Sequence, residues 1–150
     1  MVIFEKVNKF VLHNIDLHIP RGITLGIIGA SGAGKTTFLK LISGLLLPES
    51  GFVRTDRRDP VEKGGEVARR ISVLFADIPV FDENLSILDC LEEIRIMYKI
   101  SQESFEERLK YLSEILDFSD FLNSKSKQLS LGQKRRCELG LTFLRDADLY

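Results

Sequence analysis

The sequence predicts an α/β fold, in which a sheet with parallel or mixed strand directions is combined with helices, and three features predict it. An apolar run at 23–28 is typical of a strand that is buried on both faces of a parallel sheet. A glycine-rich segment follows that run directly, and apolar residues with helical spacing begin after Lys35. The length of 150 residues, with 44% hydrophobic and 29% charged residues, favours a single globular domain.

The composition argues against several classes of protein. With 21 lysines and arginines against 22 aspartates and glutamates, the net charge is −1, so no broad positive field is available and no nucleic-acid partner is expected. Cys90, Cys137, His13 and His18 lack the spacing of a zinc site or a disulfide framework. No apolar run approaches the ~18 residues of a membrane span, so a cytoplasmic chain is expected.

Two strands are predicted before the apolar run and a helix after it. Segments 2–7 and 15–19 contain the β-branched and alternating apolar residues of strands, and a turn at 20–22 leads into the run. In segment 35–47 apolar residues recur at helical spacing, and the turn residues at 48–51 are expected to end this helix. The order is therefore strand, loop, helix.

The rest of the chain combines one more strand with a helical region. The apolar run at 71–75 predicts a further core strand. Two helical stripes follow, one beginning at Ile87 and the other at Phe105, and they predict a helical subdomain over roughly 84–124. Neither internal repeats nor long heptad patterns are present, which excludes repeat folds.

A complete phosphate-binding motif, G-x-x-x-x-G-K-[ST], lies between the predicted strand and helix. Glycines let successive backbone N–H groups surround a phosphate, and the helix directs the positive end of its dipole at the anion. Lys35 can reach the β- and γ-phosphates, and the Thr36 hydroxyl can bind the Mg²⁺ that bridges them. A simple glycine turn is the alternative. The candidate nucleotide-binding residues are Gly29, Ala30, Ser31, Gly32, Ala33, Gly34, Lys35, Thr36 and Thr37, the last of which alternatively serves only the helix.

A second motif, L-S-L-G-Q, occupies residues 129–133. Apolar residues with helical spacing follow it, so Ser130 is predicted at a helix N-terminus. Ser130 and Gln133 also have the spacing of a capping box, in which each side chain pairs with an N–H of its own helix. By itself the motif therefore has two interpretations, a structural cap and a ligand-binding helix end.

Taken together, the two motifs resemble those of the ABC ATPase family. The resemblance rests on the loop at 29–36, the sequence G-L-L-L-P-E-S-G at 44–51, and the signature at 129–133, where Leu131 replaces the usual second glycine. It implies a P-loop NTPase core with an α-helical signature subdomain. The implied parts are a nucleotide-binding core with the Walker A loop at 1–83, a helical subdomain at 84–128, and the signature motif with its helix at 129–150.

The resemblance also implies a mechanism and partners. Two such domains pair head to tail, and each ATP with its Mg²⁺ lies between the phosphate loop of one and the signature helix of the other. Ser130, Gly132 and Gln133 would then contact the γ-phosphate in trans. Pairing on ATP and separating after hydrolysis would drive transmembrane permease subunits from the cytoplasmic face of the membrane. The Leu131 variant is similar to ATPases of bacterial two-component exporters, which favours export, while the transported substrate is set by membrane subunits outside this chain.

Two positions depart from the family pattern. A glutamine that contacts Mg²⁺ is usual where Ala76 and Asp77 stand, and of these only Asp77 could still bind the metal, directly or through water. An ordinary solvated turn is the alternative for Asp77. The one nearby candidate for the family's adenine-stacking aromatic is Phe10, which could equally be a core residue.

The family's Walker B strand, with its metal-orienting aspartate and catalytic glutamate, is expected just after Asp148, and the sequence ends at Tyr150. We therefore expect an incomplete domain whose Walker B residues and switch histidine lie outside this sequence. Such a chain should hydrolyse ATP poorly, because phosphoryl transfer depends on a positioned metal ion and water. Uncovered strand faces and edges should also make it poorly soluble or self-associating.

The leading functional hypothesis is the ATP-binding subunit of an ABC transporter, an ATPase that couples hydrolysis to transport. The alternatives are a non-transport ABC ATPase, a P-loop small-molecule kinase and a catalytically incompetent nucleotide-binding fragment. A kinase would have no use for segment 129–133 as a helix end acting in trans. The basic run of Lys134, Arg135 and Arg136 is interpreted as a solvated helix face rather than a nucleic-acid patch.

Overall fold

The fold is given by a computed structural model that describes residues 1–55, 69–76 and 78–150. The chain divides into two units, Met1–Ile71 and Ser72–Tyr150. The first contains the sheet and the glycine-rich loop, and the second contains most of the helices. The class is therefore α/β, as the sequence predicts.

Among the described residues of the first unit, a three-stranded antiparallel sheet forms the centre. Its strands are β1 (Val2–Lys9), β2 (Leu12–Ile19) and β3 (Ser50–Thr55), in the order β2-β1-β3. The predicted strands at 2–7 and 15–19 are confirmed. The sequence did not predict β3, whose glycine and polar residues give a weak strand signal, because its strand conformation depends on pairing with β1.

Helix α1 (Lys35–Ile42) packs against this sheet through aromatic rings. The rings of Phe4 and Phe38 stack with their centroids 4.6 Å apart. The helix ends before the predicted position, because Gly44 adopts a left-handed φ of 73° and the N–H of Leu45 bonds to the carbonyl of Lys40. The prediction that the turn at 48–51 ends the helix is wrong.

The apolar run at 23–28, predicted as a buried parallel strand, is not a strand. Ile28 is 95% exposed, and the side chains of Ile23 and Leu25 are also exposed. Within the described residues no strand pairs with this segment, and all strand pairs there are antiparallel. A parallel strand exists only through its ladder with neighbours and through cover on both faces. The predicted burial is therefore wrong in this structure.

The run at 71–75 also differs from its prediction as a core strand, since its residues form no ladder. Its second residue, Ser72, is nevertheless held within the second unit. The backbone N–H of Ser72 donates to the carbonyl of Leu149 at 2.8 Å, and the Ser72 hydroxyl donates to the carbonyl of Thr142 at the same distance. Side-chain and backbone bonds to other elements replace a ladder here.

In the described part of the second unit, 72–76 and 78–150, the α-helices are α2 (Ile87–Tyr98), α3 (Gln102–Ile115) and α4 (Leu131–Leu144). Two 3₁₀ turns, Ser119–Phe121 and Ser126–Gln128, connect α3 to α4. The helices that the sequence predicts between 84 and 124 are present. Their apolar faces form a core of Phe81, Ile87, Cys90, Leu91, Phe105, Phe118, Cys137 and Leu144.

Candidate functional site

The glycine-rich loop forms the exposed entrance to α1. Residues 29–33 are exposed, and the chain turns at Ala30, whose carbonyl accepts a bond from the N–H of Ala33 at 3.2 Å. The helix begins at Lys35, directly after Gly34 in a left-handed conformation with φ 92°. Thr36 is exposed, whereas Thr37 is partly buried. The motif residues are thus arranged as a loop followed by a helix N-terminus.

Two features require glycine at position 34: its positive φ and the close approach of neighbouring side chains. A Cβ atom there would lie 2.8 Å from a methyl carbon of Val11 and 2.8 Å from one of Leu12. The tip of the β1–β2 hairpin therefore contacts the base of the loop closely. Substitution of Gly34 would force both a strained φ and a shift of this tip.

The side chain of Lys35 folds back over the loop. Its Nζ donates to the carbonyl of Gly29 at 2.8 Å and to the carbonyl of Ala30 at 2.6 Å. These bonds close the loop into a ring and place the ammonium charge beside its first two residues. The N-terminus of α1 and the ammonium together make this the position best suited to an anion.

The N-terminus of α1 differs from the other α-helix starts of the described chain. It has no side-chain cap and no acidic residue in its first turn, whereas α2, α3 and α4 are capped by Ser86, Ser101 and Ser130. Its first N–H groups are thus open to an outside acceptor. Gly32 adopts φ 81° and has open space on its Cβ side. The loop is therefore a candidate site for an anionic group such as phosphate, and the exposed Thr36 hydroxyl could serve as a ligand to Mg²⁺.

Phe10 lies at the tip of the β1–β2 hairpin, next to the residues that contact Gly34. It is 61% exposed, so the interpretation of Phe10 as a core residue is wrong. Its backbone has φ 51°, and Nζ of Lys9 lies 4.6 Å from the centre of the ring. The ring is therefore accessible to a planar ligand, and adenine stacking stays a prediction.

The second motif forms the start of α4, and its capping box is present. The N–H of Gln133 donates to Oγ of Ser130 at 3.3 Å, and the N–H of Ser130 donates to Oε1 of Gln133 at 2.8 Å. Leu131 is 72% exposed. A Cβ at Gly132 would have no neighbour within 4 Å, so no contact among the described residues requires a glycine there.

Helix α4 is covered on two opposite faces, and the sequence predicted only one of them. Cys137, Gly140 and Leu144 face the apolar core. The opposite face contains the stripe Arg135, Glu138 and Thr142, where Arg135 Nη1 lies 2.6 Å from Oε2 of the buried Glu138. The available signal was the i,i+3 spacing of this Arg–Glu pair.

Segment 72–76 lies along this polar stripe. Its Ser72 hydroxyl bonds the Thr142 carbonyl, and the carbonyl of Ala76 accepts a bond from Nη2 of Arg135. The interpretation of residues 134–136 as a solvated face is therefore wrong for Arg135. The candidate metal ligand Asp77 lies outside the described residues.

The remaining candidate groups form no further site in the described parts of the chain. Residues 1–55, 69–76 and 78–150 contain no group of three or more His, Cys, Asp or Glu side chains that could hold a metal ion.

Both cysteines are buried. Burial raises the pKa of Cys137 to about 11 and also raises the pKa of Cys90. No described helix is long and apolar enough to cross a bilayer.

A family model, curated relatives and solved structures all indicate the same family for this chain. A family model described as "ABC transporter" matches residues 12–150. The ATP-binding protein NatA of Bacillus subtilis is 30% identical over 97% of this chain, and the glucose import ATP-binding protein GlcV of Saccharolobus solfataricus is 31% identical over 98%. A solved dimeric, post-hydrolysis state of the ATP-binding cassette MJ0796 bound to ADP and Pi is 25% identical, covers 98% of this chain, and has a TM-score of 0.82.

The chain spans only part of each of these proteins. It covers 58% of the length of NatA, 42% of GlcV and 71% of the MJ0796 cassette. The matches include the glycine-rich loop and the start of α4, because the family model extends over both.

Proposed function

The chain belongs to the ABC transporter family, and we propose that it forms part of an ATP-binding subunit that couples ATP binding and hydrolysis to transport across a membrane. The names of NatA and GlcV support ATP binding, and the MJ0796 structure supports a site for ADP and Pi in a protein of this fold. The whole subunit would act at the cytoplasmic face of the membrane, together with transmembrane permease subunits.

The observation that carries this proposal is the uncapped N-terminus of α1 beneath an open glycine loop. The backbone N–H groups of the loop, other than that of Ala33, which bonds the Ala30 carbonyl, would surround the phosphates, and Lys35 would supply the charge that neutralises the β- and γ-phosphates. Thr36 would hold Mg²⁺, which when bound neutralises the charge that develops on the phosphate oxygens. Phe10 would contact the adenine, and Asp77 would assist at the metal ion.

The second element of the proposal is pairing of two chains around ATP. Ser130, Gly132 and Gln133 would contact the γ-phosphate bound to the partner's loop. Gly132 supports this role, because a helical glycine destabilises its helix by about 1 kcal/mol relative to alanine and no described contact requires one here. Close approach of a phosphate to the backbone would explain the missing side chain.

The direction of transport is not part of the proposal. Export rests only on the resemblance of the Leu131 variant to exporter ATPases, and GlcV is named as an import protein. We therefore limit the proposal to transport in either direction.

The test is the affinity for ATP of the Lys35→Ala variant. Titration with a fluorescent ATP analogue in the presence of Mg²⁺ should show saturable binding to the wild type and a loss of at least about tenfold in affinity in the variant, because a charge-assisted contact to phosphate is removed. Lys40→Ala, on the last turn of the same helix, is the matched control and should bind as the wild type does. Equal binding by the wild type and the Lys35 variant would refute the proposed site.

A further inference from the structure

We propose that Arg135 is a positioning residue, which ties the first turns of α4 to the segment at Ala76 and thereby fixes the orientation of Ser130 and Gly132 toward the partner's ATP. This inference rests on the proposed function, since it concerns the same pairing surface. It adds a residue that lies outside both motifs and touches no nucleotide in the proposed arrangement.

Two bonds fix segment 72–76 to α4 at two separate points. The Ser72 hydroxyl bonds the Thr142 carbonyl near the end of the helix, and Arg135 bonds the Ala76 carbonyl near its start. From Ser72 to Ala76 the extended chain spans about 13 Å, and from Arg135 to Thr142 the helix spans about 10 Å. Because these lengths are similar, the segment can lie along the helix between its two bonds. The Arg135 bond is the anchor nearer to the signature residues.

The guanidinium of Arg135 is itself held in place. Its Nη1 lies 2.6 Å from Oε2 of Glu138, which is only 3% exposed, while Nη2 reaches the Ala76 carbonyl. An arginine can satisfy two acceptors in one plane because its donors form a rigid fork. A lysine could pair with Glu138 through its charge but would not reproduce that fork.

Arg135 is one helical turn from the N-terminus of α4. The first helical bond, from the N–H of Lys134 to the carbonyl of Ser130 at 2.9 Å, joins the cap directly to the turn that carries Arg135. The cap and this turn therefore move as one unit. Loss of the bond from Arg135 to the Ala76 carbonyl would let both change their orientation. The polar face of α4 would lose its nearer anchor, while the apolar face would keep its packing.

The test compares the wild type with a double variant, Arg135→Met with Glu138→Gln. The double variant removes the bond to Ala76 without leaving a buried carboxylate unpaired, and the exposed Ala76 carbonyl can bond to water. Arg135→Lys is the second variant. The matched control is Arg95→Met with Glu92→Gln, which removes another i,i+3 Arg–Glu pair from α2 of the same unit.

Three quantities are measured for each protein: ATP affinity per chain, ATP-dependent pairing by sedimentation, and the midpoint of thermal unfolding. We expect both Arg135 variants to bind ATP within about twofold of the wild type and to pair at least about tenfold more weakly, a typical size for coupling between sites. The Arg95/Glu92 control should pair as strongly as the wild type, although its midpoint of thermal unfolding should be similar to that of the Arg135/Glu138 double variant.

Pairing of the double variant at wild-type strength would overturn the inference, because Arg135 would then serve only to neutralise Glu138. A wild type that binds ATP without pairing would also overturn it, while leaving the phosphate-loop site intact. A wild type that does not bind ATP would instead refute the proposed function, and the inference with it.

Discussion

A Cβ atom added to Gly140 would lie 2.5 Å from Cε1 and 2.5 Å from Cζ of Phe118. Phe118 is fully buried at the centre of the second unit, so its ring has little room to move. This glycine therefore lets α4 approach the apolar core, a role unrelated to any ligand.

Gly140→Ala should destabilise the protein. Overpacking of a core costs about 1–3 kcal/mol, and two contacts of 2.5 Å with a buried ring place the cost in the upper part of that range, above the ~1 kcal/mol gained when alanine replaces a helical glycine. Urea unfolding should show a lower midpoint for the variant. A midpoint equal to or above that of the wild type would mean that Phe118 repacks freely.

Gly132→Ala, on the same helix, should have the opposite effect on stability. Its Cβ enters open space, so the helix should gain up to about 1 kcal/mol. We expect ATP-dependent pairing to weaken nevertheless, because the methyl group would keep the partner's phosphate from the backbone. Gly140→Ala and Gly132→Ala are thus controls for each other in the stability measurement. Pairing of Gly132→Ala at wild-type strength would count against contact between Gly132 and the ATP bound to the partner.

Ser130→Ala should separate the two interpretations of the signature motif. Loss of the cap costs about 1 kcal/mol, and the same loss is expected for Ser101→Ala, whose hydroxyl caps α3 at the same distance of 3.3 Å. If Ser130 also contacts ATP in trans, only its variant should lose ATP-dependent pairing in sedimentation experiments. Equal pairing by both variants would leave the cap as the sole role of Ser130.

Neither cysteine should react in the folded protein. Because burial raises the pKa of Cys137 to about 11, roughly one thiol in a thousand is ionised at pH 8 even where reagent could reach it. Alkylation followed by mass spectrometry should show no label in the native state and labels on both Cys90 and Cys137 in denaturant. Rapid native labelling of either thiol would show that the helical core opens readily.

Local sequence signals predicted much of the candidate site. The glycine-rich loop, the start of α1 at Lys35 and the capping box at Ser130 and Gln133 depend on residues close together in the chain. Glycine is favoured at the positive φ of Gly32 and Gly34, and serine is one of a few residues preferred at an N-cap, so the pattern is informative without knowledge of the rest of the fold. The family that these motifs predicted is confirmed by the family model that matches residues 12–150.

Pairing and packing over long distances were less predictable. The segment at 23–28 has the composition of a buried strand, yet strand structure and burial require neighbours, and within the described residues the sheet contains only antiparallel pairs. β3 has a weak strand pattern and forms through its bonds to β1. A strand is thus decided by its partner as much as by its own residues.

The sequence by itself determined the start of α1 after the glycine-rich loop, the capping box of α4 and the family resemblance, because each depends on a few residues at fixed spacing. Only the tertiary structure decided that Phe10 is exposed, that Gly140 is needed for Phe118, and that Arg135 bonds the buried Glu138 and the Ala76 carbonyl. Ala76 and Arg135 are 59 positions apart. Contacts over such a distance form only when the whole unit folds, since no local preference specifies which segment will lie against a given helix face.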